Sequence, residues 1–223
     1  MRIKHTLLSA LTLCILTTAL AQENAGVHFT EASWDQLLTQ AKQEHKLIFM
    51  DAYAVWCGPC KWMDRNVFTD PAVGAAYNRN FINTRTDMEK GEGIALRKKY
   101  AVRAYPTYLF INGDGEVVHR AVGQTTAPEF IQYGLDAASP VRNLQYLSNN
   151  YSAHSGDYDF ISTYLKALKQ AEEEDTLNAV ALRYLQAQDG ASLQSPPCWN
   201  LLRTYLADAS SSVFQYLVDH RKQ

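Results

Sequence analysis

A continuous apolar run, Leu47-Ile48-Phe49-Met50, narrows the possible folds more than any other part of this sequence. Four successive apolar residues predict a central β-strand buried on both faces, because a strand with one solvent-facing side alternates apolar and polar residues. Just before the run, Ser33 and Gln36 form a capping-box pattern that predicts a helix over about 33–45. A buried strand beside an amphipathic helix indicates a layered α/β domain.

The predicted elements continue to alternate as far as residue 138. In chain order we expect a helix from about Cys57 to the turn at Thr69-Asp70-Pro71, a short helix around 73–77, a strand at 81–86, a helix at 94–100, a strand at 107–111 and a strand at 116–121. Asn112-Gly113-Asp114-Gly115 predicts the hairpin between the last two strands. Thr126, with Pro128 in the first turn, caps a final helix. The sequence therefore predicts a mixed α/β domain of about 110 residues.

The sequence pattern changes after Ser139-Pro140. Residues 141–223 contain only two glycines and no strand-like alternation, while apolar side chains recur at helical spacing. No repeat of about 34 residues is present, so a tetratricopeptide solenoid is a weak interpretation. We expect a second, all-helical region of four to five helices over residues 140–223.

The first 21 residues have the pattern of a secretory signal peptide. Arg2 and Lys4 precede an apolar run from Leu7 to Leu20, and small residues stand at the −3 and −1 positions of a cleavage site after Ala21. A membrane anchor is the alternative, but the run is shorter than the ~20 apolar residues that a spanning helix needs. We therefore expect export, most simply to a periplasm, and the mixed α/β domain over residues 22–139.

Cysteine content and charge exclude two classes of protein. Four cysteines in 223 residues are too sparse for a small disulfide-stapled scaffold. The net charge is −2 and no basic block stands out, which disfavours nucleic-acid binding. Removal of the leader would leave three cysteines, Cys57, Cys60 and Cys198, in a compartment where disulfides persist. Cys198 is expected to be a buried bystander.

The chemistry is predicted at Cys57 and Cys60, where a buried strand gives way to a helix. A thiol at a helix N-terminus faces unpaired backbone N–H groups and the positive end of the helix dipole, which favour the thiolate. The thiolate is the nucleophile of disulfide exchange, so we expect Cys57 to attack. Cys60, one turn later and expected to be more buried, would resolve the mixed disulfide. Gly58 would allow close approach, and Pro59 would fix the first turn.

Two other interpretations of the cysteine pair are weaker. A structural disulfide across so short a loop contributes little stabilisation through loop closure. A zinc site needs two further ligands, whereas Cys198 stands alone and no histidine pair has ligand spacing. We therefore expect no metal and no organic cofactor beyond the redox-active disulfide.

Residues of about 28–138 resemble a thioredoxin-fold domain, and within that family the C-terminal domain of the disulfide-reducing DsbD proteins and related exported proteins. The resemblance rests on separated motifs in the family's order: Phe49-Met50-Asp51-Ala52-Tyr53-Ala54 leading into Trp56-Cys57-Gly58-Pro59-Cys60-Lys61, then Phe68-Thr69-Asp70-Pro71, Tyr100-Ala101-Val102, Tyr105-Pro106-Thr107 and Gly123.

The resemblance implies roles for individual residues. Asp51 matches the family's buried carboxylate, which shuttles the proton when the buried thiol reacts, and burial raises a carboxyl pKa. Pro106 matches the family's cis-proline, which shapes the groove for an extended substrate. Tyr105 would line that groove, and Trp56 would cover the site. The family often places a lysine near the buried carboxylate, and the matching position here is taken as Asn83.

These observations predict an exported thiol–disulfide oxidoreductase, most simply a reductant of protein disulfides. The Gly-Pro pair between the cysteines is the one found in thioredoxin, whose potential lies near −270 mV, against about −120 mV for DsbA. An exported reductant needs an electron source, so the expected partners are protein thiols and disulfides and a membrane electron-transfer protein. Two alternatives stay open: an oxidase or isomerase of protein disulfides, and a partner-binding protein in which the helical region binds and the thioredoxin-like domain is a scaffold.

Overall fold

The computed structural model describes residues 25–189, 192, 195–205 and 218. The predicted signal peptide, residues 1–21, and the final residues 219–223 lie outside this described part of the chain. Within it, no helix has both the length and the apolar character needed to cross a membrane.

Four strands form one mixed sheet. They are β1 (Leu47–Tyr53), β2 (Phe81–Asp87), β3 (Thr107–Ile111) and β4 (Val117–Val122), in the spatial order β2-β1-β3-β4. β1 is central and pairs in parallel with β2, whereas the β1–β3 and β3–β4 pairs are antiparallel. The apolar run at 47–50 therefore lies in a strand with a neighbour on each edge and a helical layer on each face, as predicted.

Five helices accompany the sheet: α1 (Trp34–Glu44), α2 (Gly58–Asn66), α3 (Pro71–Asn80), α4 (Gly93–Lys99) and α5 (Ala127–Ala138). One face of the sheet packs an aromatic core around Phe49 against α2, α3 and α5. The other face packs against α1 and α4. The predicted capping box of Ser33 and Gln36 is present at the start of α1. Thr126 caps α5 as predicted, and Glu129 completes a second capping box there.

Four further α-helices have bounds within the described residues, as expected for the all-helical region. They are α6 (Leu144–Asn150), α7 (Tyr158–Gln170), α8 (Glu174–Gln186) and α9 (Pro196–Tyr205), with a short 3-10 turn at Tyr151–Ala153. Their apolar faces form a separate core that includes Leu147, Ile161, Leu165 and Leu177. Cys198 lies in α9, buried and without a disulfide partner.

The helical region packs on β4, the edge strand of the sheet, through α6 and α7. His119 of β4 is fully buried, and its Nδ1 accepts a hydrogen bond from the backbone N–H of Leu144 at the start of α6 (3.1 Å). Asp136 of α5 pairs with Arg142 (3.1 Å) and with Lys166 of α7 (3.5 Å). The helices therefore protect an edge that would otherwise offer unpaired backbone groups.

Candidate active site

Cys57 and Cys60 are joined by a disulfide at the start of α2, with their Cα atoms 5.3 Å apart. Cys57 is the N-cap residue of the helix, and its Sγ accepts a hydrogen bond from the backbone N–H of Cys60 (3.1 Å). Pro59 stands in the first turn, where its missing N–H costs no intrahelical bond. The predicted strand-to-helix position of the pair is therefore present.

The two cysteines are equally buried, and the expectation that Cys60 is the more buried one is wrong. Each is 2% exposed, and both pack with Ala54 against Tyr53 and Tyr105. Cys57 is buried because residues that precede α2, Tyr53 and Ala54, and the Tyr105 side chain pack against it. A partner must therefore approach Cys57 across this small apolar cluster.

Trp56 and Tyr105 stand beside the disulfide. Trp56 is 65% exposed, and its ring packs edge-on against that of Tyr105 at 5.8 Å between centroids. Trp56 Nε1 donates to the Glu89 carboxylate (2.8 Å), which holds the indole in this position. An exposed, anchored aromatic ring next to a reactive disulfide offers a contact surface for a polypeptide.

The peptide bond between Tyr105 and Pro106 is cis, and it precedes β3. The Pro106 carbonyl accepts a hydrogen bond from the backbone N–H of Gly123 (2.9 Å), just after β4. Gly123 has a φ of +92°, a backbone conformation that favours glycine. On the other side of the disulfide, a Cβ at Gly58 would meet no atom within 4 Å, so the space in front of Gly58 is open.

Asp51 lies in the middle of β1 and is 1% exposed. Its Oδ2 accepts a hydrogen bond from Nη2 of Arg85 (3.2 Å), while its Oδ1 has no hydrogen-bond partner among the described residues. Burial is the main influence on this carboxyl and outweighs the nearby Arg85 charge, so the pKa of Asp51 is raised to about 7. A carboxyl with that pKa can both accept and release a proton near neutral pH.

Arg85 supplies the cation beside Asp51, and the assignment of that position to Asn83 is wrong. In the parallel β1–β2 register, Asp51 pairs with Arg85, whereas Asn83 pairs with Phe49. The Asn83 side-chain amide instead donates to Asn78 (3.0 Å) and to the His28 carbonyl (3.3 Å). Asn83 therefore ties the segment before α1 to the sheet and does not take part in the carboxyl site.

Arg85 is held by more than one group. Its Nη2 lies 2.8 Å from Oδ1 of Asp64 on α2, and its guanidinium packs on the rings of Tyr53 (4.5 Å) and Phe29 (5.2 Å). Asp64 follows Cys60 by four residues, so both side chains lie on one face of α2. Sequence reasoning missed Arg85 and Asp64; the helical i, i+4 spacing is the signal that could have found Asp64.

The similarity to known proteins lies in the mixed α/β domain, before the helical region. The sequence profile of the thioredoxin-like domain matches residues 34–138. Thioredoxin H4 of Arabidopsis thaliana is 37% identical over 98 residues, which are 44% of this chain and 76% of that protein. The thiol:disulfide interchange protein DsbD of Salmonella typhimurium is 34% identical over 101 residues, which are 43% of this chain but only 18% of DsbD.

Among solved structures, a candidate disulphide isomerase from Bacteroides thetaiotaomicron is 49% identical in sequence. The match covers 52% of this chain and 95% of that chain, with a TM-score of 0.47. The helices after residue 138 lie outside the profile match.

Proposed function

The chain belongs to the thioredoxin-like family of thiol–disulfide oxidoreductases, with Cys57 and Cys60 as its redox-active pair, and from this premise we propose that it is an exported reductant of protein disulfides. Family membership and the bonded cysteines support an oxidoreductase that acts through this pair. We further propose that electrons flow from this pair to substrate disulfides outside the cytoplasm.

The position of Cys57 at the N-cap of α2 carries the mechanism. In the reduced protein, the helix N-terminus and the Cys60 N–H stabilise a Cys57 thiolate. This thiolate attacks one sulfur of a substrate disulfide, forming a mixed disulfide and releasing the other substrate sulfur as a thiolate. Cys60 then attacks the Cys57 sulfur and frees the second substrate thiol. Two electrons have passed to the substrate, and the protein is left in the Cys57–Cys60 disulfide form.

Asp51 is the group we assign to proton transfer in the second step. Cys60 must lose a proton before it attacks, and the raised pKa of Asp51 lets an ionised Asp51 accept that proton near pH 7. Burial keeps bulk water away from Asp51, and we therefore assign this carboxyl as the internal base for the buried Cys60 thiol. Tyr105, Pro106, Trp56, Gly58 and Pro59 would form the surface on which the substrate polypeptide rests.

The reductant assignment is supported by the Gly-Pro pair between the cysteines. Thioredoxin carries the same pair and has a potential near −270 mV, far below the value of about −120 mV for the oxidant DsbA. The chain is also similar to part of DsbD, a thiol:disulfide interchange protein. The leader pattern at residues 1–21 supports export, and an exported reductant would draw its electrons from a membrane electron-transfer protein. Residues 22–139 would carry the redox chemistry, without metal or organic cofactor, and residues 140–223 would be the helical region.

The experiment that tests the reductant assignment is a redox titration of the Cys57–Cys60 pair against glutathione or dithiothreitol buffers. We expect a potential near that of thioredoxin. A potential above about −180 mV would overturn the assignment and favour an oxidase or isomerase.

Two cysteine variants test the chemistry itself. Cys57→Ser should abolish reduction of protein disulfides, and Cys60→Ser should accumulate mixed disulfides at Cys57 that identify substrates. If biological function survives in Cys57→Ser, the chain acts as a partner-binding protein and the redox proposal is wrong.

A further inference from the structure

The aromatic core of the sheet contains three buried tyrosines, and one of them differs from the other two. The Tyr77 hydroxyl donates to the Phe130 carbonyl (2.7 Å), and the Tyr133 phenol hydrogen-bonds with the Thr125 side chain. Tyr108 is fully buried, yet its hydroxyl has no hydrogen-bond partner among the described residues. A hydroxyl is costly to bury in this way, and phenylalanine would fill the same space without that cost. The hydroxyl therefore points to a role beyond packing.

Tyr108 lies opposite Asp51 in the sheet. The two are register partners in the antiparallel β1–β3 pair, so their side chains leave the same face of the sheet at neighbouring positions. The pKa of Tyr108 is raised first by burial and next by the Asp51 charge. The Asp51 Oδ1 also lacks a hydrogen-bond partner in the part of the chain that the structure describes. Two buried polar groups without partners therefore stand side by side.

The ring of Tyr108 is held by its aromatic neighbours. It packs edge-on against Phe130 (4.9 Å between centroids) and lies against Phe49 (6.2 Å) and Phe68 (6.4 Å). These contacts limit the movement of the hydroxyl, and no direct hydrogen bond joins it to Asp51. Buried waters typically join polar groups that the protein itself leaves unpaired. A single water between the Tyr108 hydroxyl and the Asp51 Oδ1 would satisfy both groups.

Other titratable groups act on this pair, but they engage it elsewhere. They are Arg85 of β2, Asp64 of α2, Tyr77 of α3 and Tyr133 of α5. Arg85 donates to the Asp51 Oδ2 (3.2 Å), and the same guanidinium nitrogen is shared with Asp64 (2.8 Å). Oδ1 is therefore the free oxygen of the carboxyl, and the side chain at the paired position across the sheet is that of Tyr108.

We propose that Tyr108 is a positioning residue for proton transfer, whose hydroxyl donates to a buried water that in turn donates to the Asp51 Oδ1. The proposal rests on the proposed function and deepens it. Hydrogen bonds donated to a carboxylate favour its ionised form, so Tyr108 keeps more of Asp51 ready to accept a proton near pH 7. When Asp51 takes the proton of Cys60, the carboxyl becomes neutral and Cys60 becomes the thiolate that attacks the Cys57 sulfur. Tyr108 keeps its own proton throughout.

The test is Tyr108→Phe, which removes the hydroxyl and keeps the ring. In the oxidised protein, where the disulfide is constant, the ¹³C resonance of the Asp51 carboxyl should titrate with a midpoint about half a pH unit above that of wild type. In the reduced protein, attack by Cys60 on a mixed disulfide should slow roughly threefold at pH 6.5. The two rates should converge at alkaline pH, where Asp51 is ionised in both proteins. Attack by Cys57 on an aromatic disulfide should be unchanged.

Tyr77→Phe is the matched control, since it removes another buried hydroxyl from the same core. It should lower stability in urea, because the Phe130 carbonyl loses its donor, but it should leave the midpoint of the Asp51 titration unchanged. A midpoint in Tyr108→Phe that is unchanged or lowered would overturn the proposal, and a gain in stability alongside it would show that the hydroxyl is merely buried. If wild-type protein reduces no protein disulfide, the proposed function fails instead, and the carboxyl titration of the oxidised protein still decides the role of Tyr108.

Discussion

Arg85 is the register partner of Asp51 across the parallel β1–β2 pair, and its Nη2 lies 3.2 Å from the Asp51 Oδ2. This one cation opposes the effect of burial on a carboxyl that is 1% exposed. The balance between burial, which raises the Asp51 pKa, and the Arg85 charge, which lowers it, decides whether Asp51 is ionised when Cys60 needs a base. Substitutions at Arg85 and at Asp51 test this balance.

Replacing Arg85 with Met should raise the pKa of Asp51 above about 7, because the charge that lowers it is removed. An opposite charge in direct contact commonly moves a carboxyl pKa by about one to three. Less Asp51 is then ionised at pH 7, so attack by Cys60 should slow roughly tenfold and its pH midpoint should move upward. Mixing reduced protein with an aromatic disulfide separates the two steps, since each releases one coloured thiolate.

Attack by Cys57 should change little in Arg85→Met, and Arg85→Lys should restore much of the second phase. Arg79→Gln, on the exposed surface of α3, is the control and should behave as wild type. An unchanged pH profile in Arg85→Met would show that Arg85 is only structural.

Asp51 should also leave a signature in stability. Its pKa is raised in the folded protein, from an ordinary 3.8 to about 7, so the folded state holds a proton that the unfolded state has lost between these values. The Asp51 contribution to stability is therefore fully present below pH 4 and is lost as pH rises to about 7. The loss has an upper value of roughly 4 kcal/mol.

Asp51→Asn should accordingly match wild type in urea unfolding at pH 4 and exceed it at pH 8. Both measurements use the oxidised protein, so that the disulfide is constant. Asp35→Asn, at an exposed position in the first turn of α1, should not reproduce this pH-dependent difference. If wild type were more stable than Asp51→Asn at pH 8, the conclusion that burial destabilises the ionised Asp51 carboxylate would be wrong.

Local patterns in the sequence predicted much of the fold. The capping box at Ser33 depends on residues three apart, Thr126 followed by Pro128 marks the start of a helix, and the Leu47–Met50 run identifies a central strand, because these signals are contained in a few neighbouring residues. The cis-proline and the family came from motif resemblance. The cation beside Asp51 could not be predicted from such local patterns, because it depends on the register between β1 and β2, in which the paired residues Asp51 and Arg85 are 34 positions apart.

The position of the helical region is a similar case. Periodicity predicted helices after residue 140, but the site on which they pack depends on long-range contacts, such as the hydrogen bond from the Leu144 N–H to His119 and the ion pair between Lys166 and Asp136. His119 lies in a strand whose local pattern gives no reason to expect a buried imidazole that accepts a backbone hydrogen bond.

His119 predicts a loss of stability in acid. Burial lowers its pKa to about 4 in the folded protein, from an ordinary 6.5, so the unfolded chain binds a proton that the folded chain excludes. The stability that His119 contributes is present above pH 6.5 and is lost as pH falls towards 4. His119→Asn keeps an acceptor for Leu144 without titrating in this range, and should therefore lose less stability than wild type between pH 7 and pH 4.5.

His119→Leu is the contrasting variant, because it leaves the Leu144 N–H without its acceptor. It should cost about 1–3 kcal/mol at pH 7, the cost should shrink as acid removes the His119 contribution from wild type, and the variant should speed proteolysis within residues 140–189. If His119→Asn and wild type lose stability in parallel on acidification, another group is responsible for the acid sensitivity.

Asp64 should influence Asp51 in the direction opposite to Arg85. It lies 2.8 Å from the same Arg85 Nη2, and its negative charge raises the pKa of Asp51. Asp64→Asn removes that repulsion and leaves the guanidinium to Asp51 alone, so the pKa of Asp51 should fall. At pH 6 more Asp51 is then ionised, and attack by Cys60 should be faster than in wild type, with its pH midpoint moved down.

The double variant Asp64→Asn, Arg85→Met separates the direct effect of Asp64 from the part that acts through Arg85. If Asp64 acts mainly by sharing the guanidinium, its removal should shift the pH midpoint less when Arg85 is absent, and the two single effects will not add. Strict additivity would mean that Asp64 acts on Asp51 through space alone. No shift in either background would mean that Asp64 plays no part in setting the proton affinity of Asp51.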